Sequence, residues 1–177
     1  DGVHQKFYSY FMMEKEWLKE TMEIMNVVEC NPMVYWKGKI RCVRIDDWMI
    51  HSASTSHKEL EIVRLEDLYA NENAKIMFRM KEEDMSKAEA WVKAHPNPYY
   101  HGFKTQTTLL EFCDKRINKG YGLQKICELN DMDLKDVMAF GDTSNDNEML
   151  KVAGCGVCMI NGTDDTKACA NAITTYD

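Results

Sequence analysis

Phe140-Gly141-Asp142-Thr143-Ser144-Asn145-Asp146-Asn147-Glu148-Met149-Leu150 is the stretch on which the fold turns. A short apolar run, Val137-Met138-Ala139-Phe140, stops at a glycine, gives way to two acids and an asparagine, and resumes with helical spacing. Such a pattern reads as the end of a buried strand, a tight turn and a helix start. In open α/β sheets ligands bind beyond the carboxyl ends of strands, and the free N–H groups of a helix N-terminus favour anions. Asp142 is placed like a metal ligand and Asn145 like a phosphate contact. The stretch alone also permits an Asp/Asn-rich turn that does no more than cap a helix.

Working outward, the same grammar repeats. Lys119-Gly120 opens a helix over residues 121–129, with Leu123, Ile126, Cys127 and Leu129 as its apolar face. A strand at 137–140, a helix at 145–153 closed by Gly154, a strand at 156–160, a turn at Asn161-Gly162, a helix at 164–170 and a strand at 172–175 complete the run. Strict helix–strand alternation predicts a parallel sheet with helical crossovers. In such a unit, helix N-termini and strand carboxyl ends share one edge. Lys119, Asp142, Asn145, Asp146 and Asn161 all fall on it, which would bring a cation, carboxylates and amides together, as a site for Mg²⁺ and a phosphate requires.

The first 116 residues follow a looser pattern, expected to be a small α+β unit with its boundary near Ile117. Strands are predicted over residues 4–10, in two extended pieces within 33–44 divided at Gly38, over 74–80, and over 99–103 and 107–114 joined through Lys104-Thr105-Gln106. Helices are predicted over 13–25, where Asn31-Pro32 ends the element, over 65–70 and over 82–94, stopped by His95-Pro96-Asn97-Pro98. Residues 46–57 carry no decisive period. Their Ser52-Ala-Ser-Thr-Ser56 run between His51 and His57 reads as a loop, and His95 and His101 as turn residues. The thirteen methionines fall mostly at helical or strand spacing and read as core.

Composition excludes several classes. A net charge of −7 with no Lys/Arg cluster argues against a nucleic-acid or anionic-membrane surface. No apolar run is long enough for a membrane span. Seven scattered cysteines do not form a secreted disulfide framework, so a reducing cytoplasm is expected. Cys155-Gly-Val-Cys158 has redox or zinc spacing, but residues three apart on a strand face opposite ways.

Ile117-Asn118-Lys119-Gly120, the run from Val137 to Leu150, and Gly156-Val-Cys-Met-Ile-Asn161-Gly162 with Lys167 resemble the third and fourth motifs and following strand of the haloacid dehalogenase superfamily. Within it the likeness is to the Cof-type sugar-phosphate phosphatases with an inserted α/β cap. A Lys-Gly followed about twenty residues on by Gly-Asp-x-x-Asn-Asp-x-x-Met-Leu is specific when both parts occur together. The resemblance implies a partial Rossmann-like parallel sheet (residues 117–177) preceded by an α+β cap (residues 1–116). It also implies a Mg²⁺-dependent phosphatase acting on a small phosphorylated metabolite through an aspartyl-phosphate. Asp142 would hold Mg²⁺, Lys119 would supply charge to the phosphoryl oxygens, Asn145 would donate to phosphate, and Asp146 would fix the loop or serve at the metal.

The family's first motif, Asp-x-Asp-Gly-Thr, which supplies the nucleophile, does not occur in this sequence. Three expectations follow: the chain is a fragment, it has no turnover by itself, and its open sheet edge makes it marginal or self-associating. A decayed phosphatase serving as a binding protein and a receiver-like Mg²⁺ module are the alternatives.

Overall fold

The computed structural model describes residues 11–176, so the strand expected at 4–10 lies outside the described residues. The chain divides into two compact units, residues 1–115 and 116–177.

The first unit is built on a six-stranded sheet. Its elements are α1 (Lys15–Thr21), β1 (Cys30–Trp36), β2 (Lys39–Cys42), α2 (Asp47–Ser56), β3 (Leu60–Ile62), α3 (Leu65–Leu68), β4 (Lys75–Met80), α4 (Glu82–Ala94), β5 (Tyr100–Gln106) and β6 (Leu109–Asp114). The strand order is β3-β2-β1-β4-β6-β5, antiparallel except for the β2–β3 pair. Alternation along β4 divides the interior in two. Ile76, Phe78 and Met80 point to a core shared with Leu18, Met85, Ala88, Leu110 and Phe112. Met77 points to a smaller one with Met33, Ile40, Cys42, Met49 and Leu109. Phe78 and Phe112 meet edge-on at 5.7 Å between ring centroids, the arrangement their quadrupoles favour. Most methionines of this unit are core, as their spacing predicts: Met13, Met33, Met49, Met77, Met80 and Met85 are each at most 3% exposed.

Four expectations need correction. The helix of residues 13–25 is shorter, α1 passing into a 3₁₀ turn at Met22–Asn26, while Met13 bridges to Asn73. Asn31-Pro32 does not end an element; both lie inside β1. Proline is tolerated there because β2 pairs only from Met33 onward, so Pro32 faces β4 alone and no ladder bond to a second neighbour is lost. The strand pair near 99–114 turns at Thr107-Thr108, Lys104-Thr105-Gln106 being strand with a bulge, and His101 sits within β5 opposite Cys113. The Ser/Thr run is helical: Asp46 caps α2 by accepting from the Met49 N–H at 3.0 Å, and His57 ends it in the left-handed region at φ 53°.

The second unit contains α5 (Lys119–Leu129), β7 (Met138–Gly141), α6 (Asn147–Val152), β8 (Cys155–Cys158), α7 (Asp164–Cys169) and β9 (Ala172–Ile173), with 3₁₀ turns at Leu134–Asp136 and Ser144–Asp146. The three strands are parallel in the order β7-β8-β9. This is the α/β, partial Rossmann-like sheet expected from the alternation. Ala139, Leu150, Ala153 and Cys158 are its buried core. Met138 and Phe140, on the other face of β7, are more than half exposed. All seven cysteines are free thiols.

Asp46 also accepts from the buried Asn31 amide at 2.8 Å, so its carboxylate joins the start of α2 to β1. Asp46→Ala should cost about 1–3 kcal/mol in urea unfolding, through the lost cap and the stranded Asn31 donor. Asp46→Asn, which can still accept from Met49 but sets an NH₂ donor against the Asn31 amide, should recover only the cap's share of that loss.

Candidate functional site

The candidate site is assembled at the carboxyl end of β7. Asn118 caps α5 by accepting from the Tyr121 N–H at 2.8 Å, which makes Lys119 the first helical residue. Gly120 permits α5 to approach α6, because a Cβ there would lie 2.8 Å from the Glu148 carbonyl carbon and oxygen. This close approach carries the Lys119 ammonium to the turn after β7.

There Lys119 Nζ donates to Asp146 Oδ1. The other oxygen, Oδ2, accepts from the backbone N–H groups of Asp142 at 3.0 Å and Thr143 at 3.4 Å. Asp146 is only 3% exposed. It is packed so tightly against β7 that a Cβ on Gly141 would fall 2.4 Å from the Asp146 Cβ, so residue 141 has to be glycine. Burial works to raise the Asp146 pKa, but the Lys119 hydrogen bond and the two backbone N–H groups outweigh it and hold the carboxyl below its ordinary value.

Asp142 contrasts with it. Its backbone N–H holds Asp146 and its carbonyl accepts from the Thr163 N–H at 2.9 Å, which locks the main chain. Its side chain is exposed and its carboxylate has no partner among the described residues. Asn145 has its carboxamide oxygen held by Thr143 Oγ1 at 2.6 Å, which leaves the NH₂ as the group available to donate. The loop carrying Asn161 abuts the same turn, with Gly162 close to the Asp142 carbonyl and Asn161 itself exposed. The structure thus gathers Lys119, Asp142, Asn145 and Asp146 around one turn and sets the Asn161 loop beside it.

Three further residues escape a reading of the sequence. Gly141 looks like an ordinary strand stop, but it is the surface on which Asp146 rests. Asn147 and Asp165 tie the starts of α6 and α7 together at 2.7 Å. Hydrogen bonds from Thr163, Asn147 and Ser144 bring the Asp165 carboxyl down to about 2. The second acid of Thr163-Asp164-Asp165 was the only hint.

An oxygen-preferring cation fits Asp142, which offers a free carboxylate at the end of a strand. It fits Asp146 poorly, because those oxygens already face an ammonium and two N–H groups. Among the described residues no group of three or more His, Cys, Asp or Glu side chains could hold a metal, so a cation here would take its remaining ligands from water, phosphate oxygens or other chain segments. No helix among the described residues is long and apolar enough to cross a membrane.

A parallel α/β sheet with a lysine, a free aspartate and an asparagine at its strand ends defines the class of protein. The chain belongs to the haloacid dehalogenase-like hydrolases, whose family profile matches residues 3–177, in agreement with the likeness carried by Lys119-Gly120 and Gly141–Leu150. It is similar to the 5-amino-6-(5-phospho-D-ribitylamino)uracil phosphatase YitU of Bacillus subtilis, with 30% identity over 131 residues, 73% of this chain and 48% of that protein. A phosphoglycolate phosphatase of Methanosarcina acetivorans is 44% identical over 59 residues, 33% of this chain and 26% of that protein. The fold matches a haloacid dehalogenase-like hydrolase from Bacteroides thetaiotaomicron with a TM-score of 0.71 at 22% identity, covering 98% of this chain and 65% of that one. The chain therefore spans about half of YitU and about two thirds of the solved structure.

The Asp146 carboxyl should titrate below the ordinary aspartate value of about 4. A depressed folded-state pKa stabilises the fold above the unfolded value, and that stability is lost as pH falls through the folded one. Lys119→Met removes the strongest opposition to burial, so the Asp146 carboxyl ¹³C titration should move upward in that variant. An unmoved midpoint would show that Lys119 does not set it.

Proposed function

We propose that this chain is part of a Mg²⁺-dependent phosphatase that hydrolyses a small phosphorylated metabolite in a reducing, cytoplasmic setting. The observation that carries the reading is the pairing of Lys119 with a buried Asp146 beside an exposed Asp142 whose carboxylate has no partner among the described residues. Membership of the hydrolase family supports it, as do the phosphorylated compounds in the names of the two relatives.

In this reading each residue has one task. Asp142 offers a carboxylate to Mg²⁺, and the bound ion would offset charge on the phosphoryl group. Lys119, fixed by Asp146, presents its ammonium as a point charge to the phosphate oxygens. Asn145, its oxygen already taken, donates its amide N–H to the same group. Asp146 is assigned to positioning: it holds Lys119 and the N–H groups of the turn, and is not a direct metal ligand. Residues 1–116 are assigned as the cap, to which the choice of substrate is assigned, and residues 117–177 as the C-terminal part of the core.

The nucleophile of the aspartyl-phosphate route is not assigned to any residue here, because no Asp-x-Asp-Gly-Thr run is present. The 177-residue chain alone should therefore show no turnover of p-nitrophenyl phosphate. In a longer protein carrying this segment and the first motif, Lys119→Ala and Asp142→Ala should each lower Mg²⁺-dependent kcat/KM by roughly 10²-fold or more. Asp142→Ala should also weaken Mg²⁺ activation, whereas Lys119→Ala should leave the Mg²⁺ requirement in place. Undiminished turnover by either variant would refute the assignment.

A further inference from the structure

Arg79 is the only buried cation among the described residues, at 6% exposure, and it forms no ion pair with them. Its Nε donates to Ser52 Oγ at 3.2 Å, and its Nη1 to Gln106 Oε1 at 2.8 Å and Thr108 Oγ1 at 3.3 Å, all neutral acceptors. The acids that act on it from a distance are otherwise engaged. Glu111 pairs with Lys75 at 2.9 Å, and Asp46 caps α2 and holds Asn31. Burying a guanidinium without a counter-charge is costly, and folds ordinarily avoid it by pairing.

The donors left over explain how the cost can be met. Arg79 Nη2 has two N–H groups, no partner among the described residues, and is not among the polar atoms sealed from solvent. Ser52 and Thr108 are both buried, and each accepts from Arg79, so each keeps its own O–H to donate. Strand β4, helix α2 and the β5–β6 turn thus bring four unassigned donor hydrogens and a full positive charge together on the sheet face covered by α2. Donors arriving from three directions suit a tetrahedral oxyanion better than a planar one.

We propose that Arg79, Ser52 and Thr108 form an anion site in the first unit that takes a phosphate group. The anion supplies the counter-charge that the described residues do not. This inference does not depend on the phosphatase reading, since it concerns residues of the first unit only.

The test is an NMR titration of the ¹⁵N-labelled 177-residue chain with inorganic phosphate, with chloride adjusted to hold ionic strength constant. Saturable shifts are expected at the Arg79 Nε–H and at the amides of Ser52, Arg79 and Thr108, with a dissociation constant on the order of 1 mM. Methyl phosphate run in parallel separates the sources: tighter binding than orthophosphate points to an esterified group, weaker binding to the free ion. Thr108→Val, which keeps the volume of the buried side chain, should weaken binding several-fold, and Arg79→Gln should abolish it. Lys119→Ala should leave these shifts intact, since any phosphate at the candidate site of the second unit is read separately at Lys119 and Asn145. The proposal is overturned if chloride alone reproduces the shifts, if folded Thr108→Val binds as wild type does, or if Lys119→Ala removes the Arg79 response.

Discussion

The second unit depends on one buried carboxylate. Asp146 is taken out of water beneath a turn, where an unpaired charge would cost several kcal/mol. It remains ionised because an ammonium and two backbone N–H groups converge on it. Each of those donors comes from a different constraint. Lys119 reaches it because Asn118 starts α5 at that residue and Gly120 lets α5 close on α6. The N–H groups of Asp142 and Thr143 reach it because β7 ends at Gly141, where no side chain intervenes. Weakening any one of these would leave the others holding a charge with too few partners.

The same interaction separates two aspartates that look alike in sequence. Asp142 and Asp146 are four residues apart in one turn, and their side chains are chemically identical. One has its backbone locked and its carboxylate free. The other has its carboxylate locked and almost no exposed surface. A group fully committed to internal donors is a poor ligand, whereas an exposed, unpartnered carboxylate on a fixed backbone is a good one. The burial of Asp146 is what orients the turn so that Asp142 can face outward.

Much of this was legible in the sequence, and the reasons are physical. The alternation after Ile117 shows because parallel strands are short, apolar and separated by amphipathic helices, so each period is unmistakable. Lys119, Asp142, Asn145 and Asp146 could be grouped because that topology puts helix starts and strand ends on one edge. What could not be read was the division of labour between Asp142 and Asp146, which depends on contacts rather than order. Helix α2 was hidden for another reason. Its buried face is Met49 and Ser52, and a buried serine leaves no hydrophobic stripe. Pro32 reads as a helix stop, but the helical stretch ends at Asn26 without it, and a proline can sit inside β1 because that strand has a neighbour on one side only at that point. The identity of Gly141 was plain, but the reason for it lies in a side chain five residues away.

Ser52 links that missed helix to the chemistry of the first unit. A serine buried on the inner face of a helix is unfavourable unless its hydroxyl is used. Here it accepts from Arg79, and Arg79 in turn is buried with only neutral acceptors among the described residues. Were the cluster purely structural, a leucine at 52 and a methionine at 79 would pack the same space without any desolvation penalty, as replacements of buried ion networks by apolar residues often do. Retaining a full charge there, with Glu111 and Asp46 committed elsewhere, is intelligible if the missing counter-charge arrives from solution. The two units then share one device built in opposite senses. In the second a buried anion fixes a cation that is half exposed, and in the first a buried cation keeps open donors for an anion that the described residues do not supply.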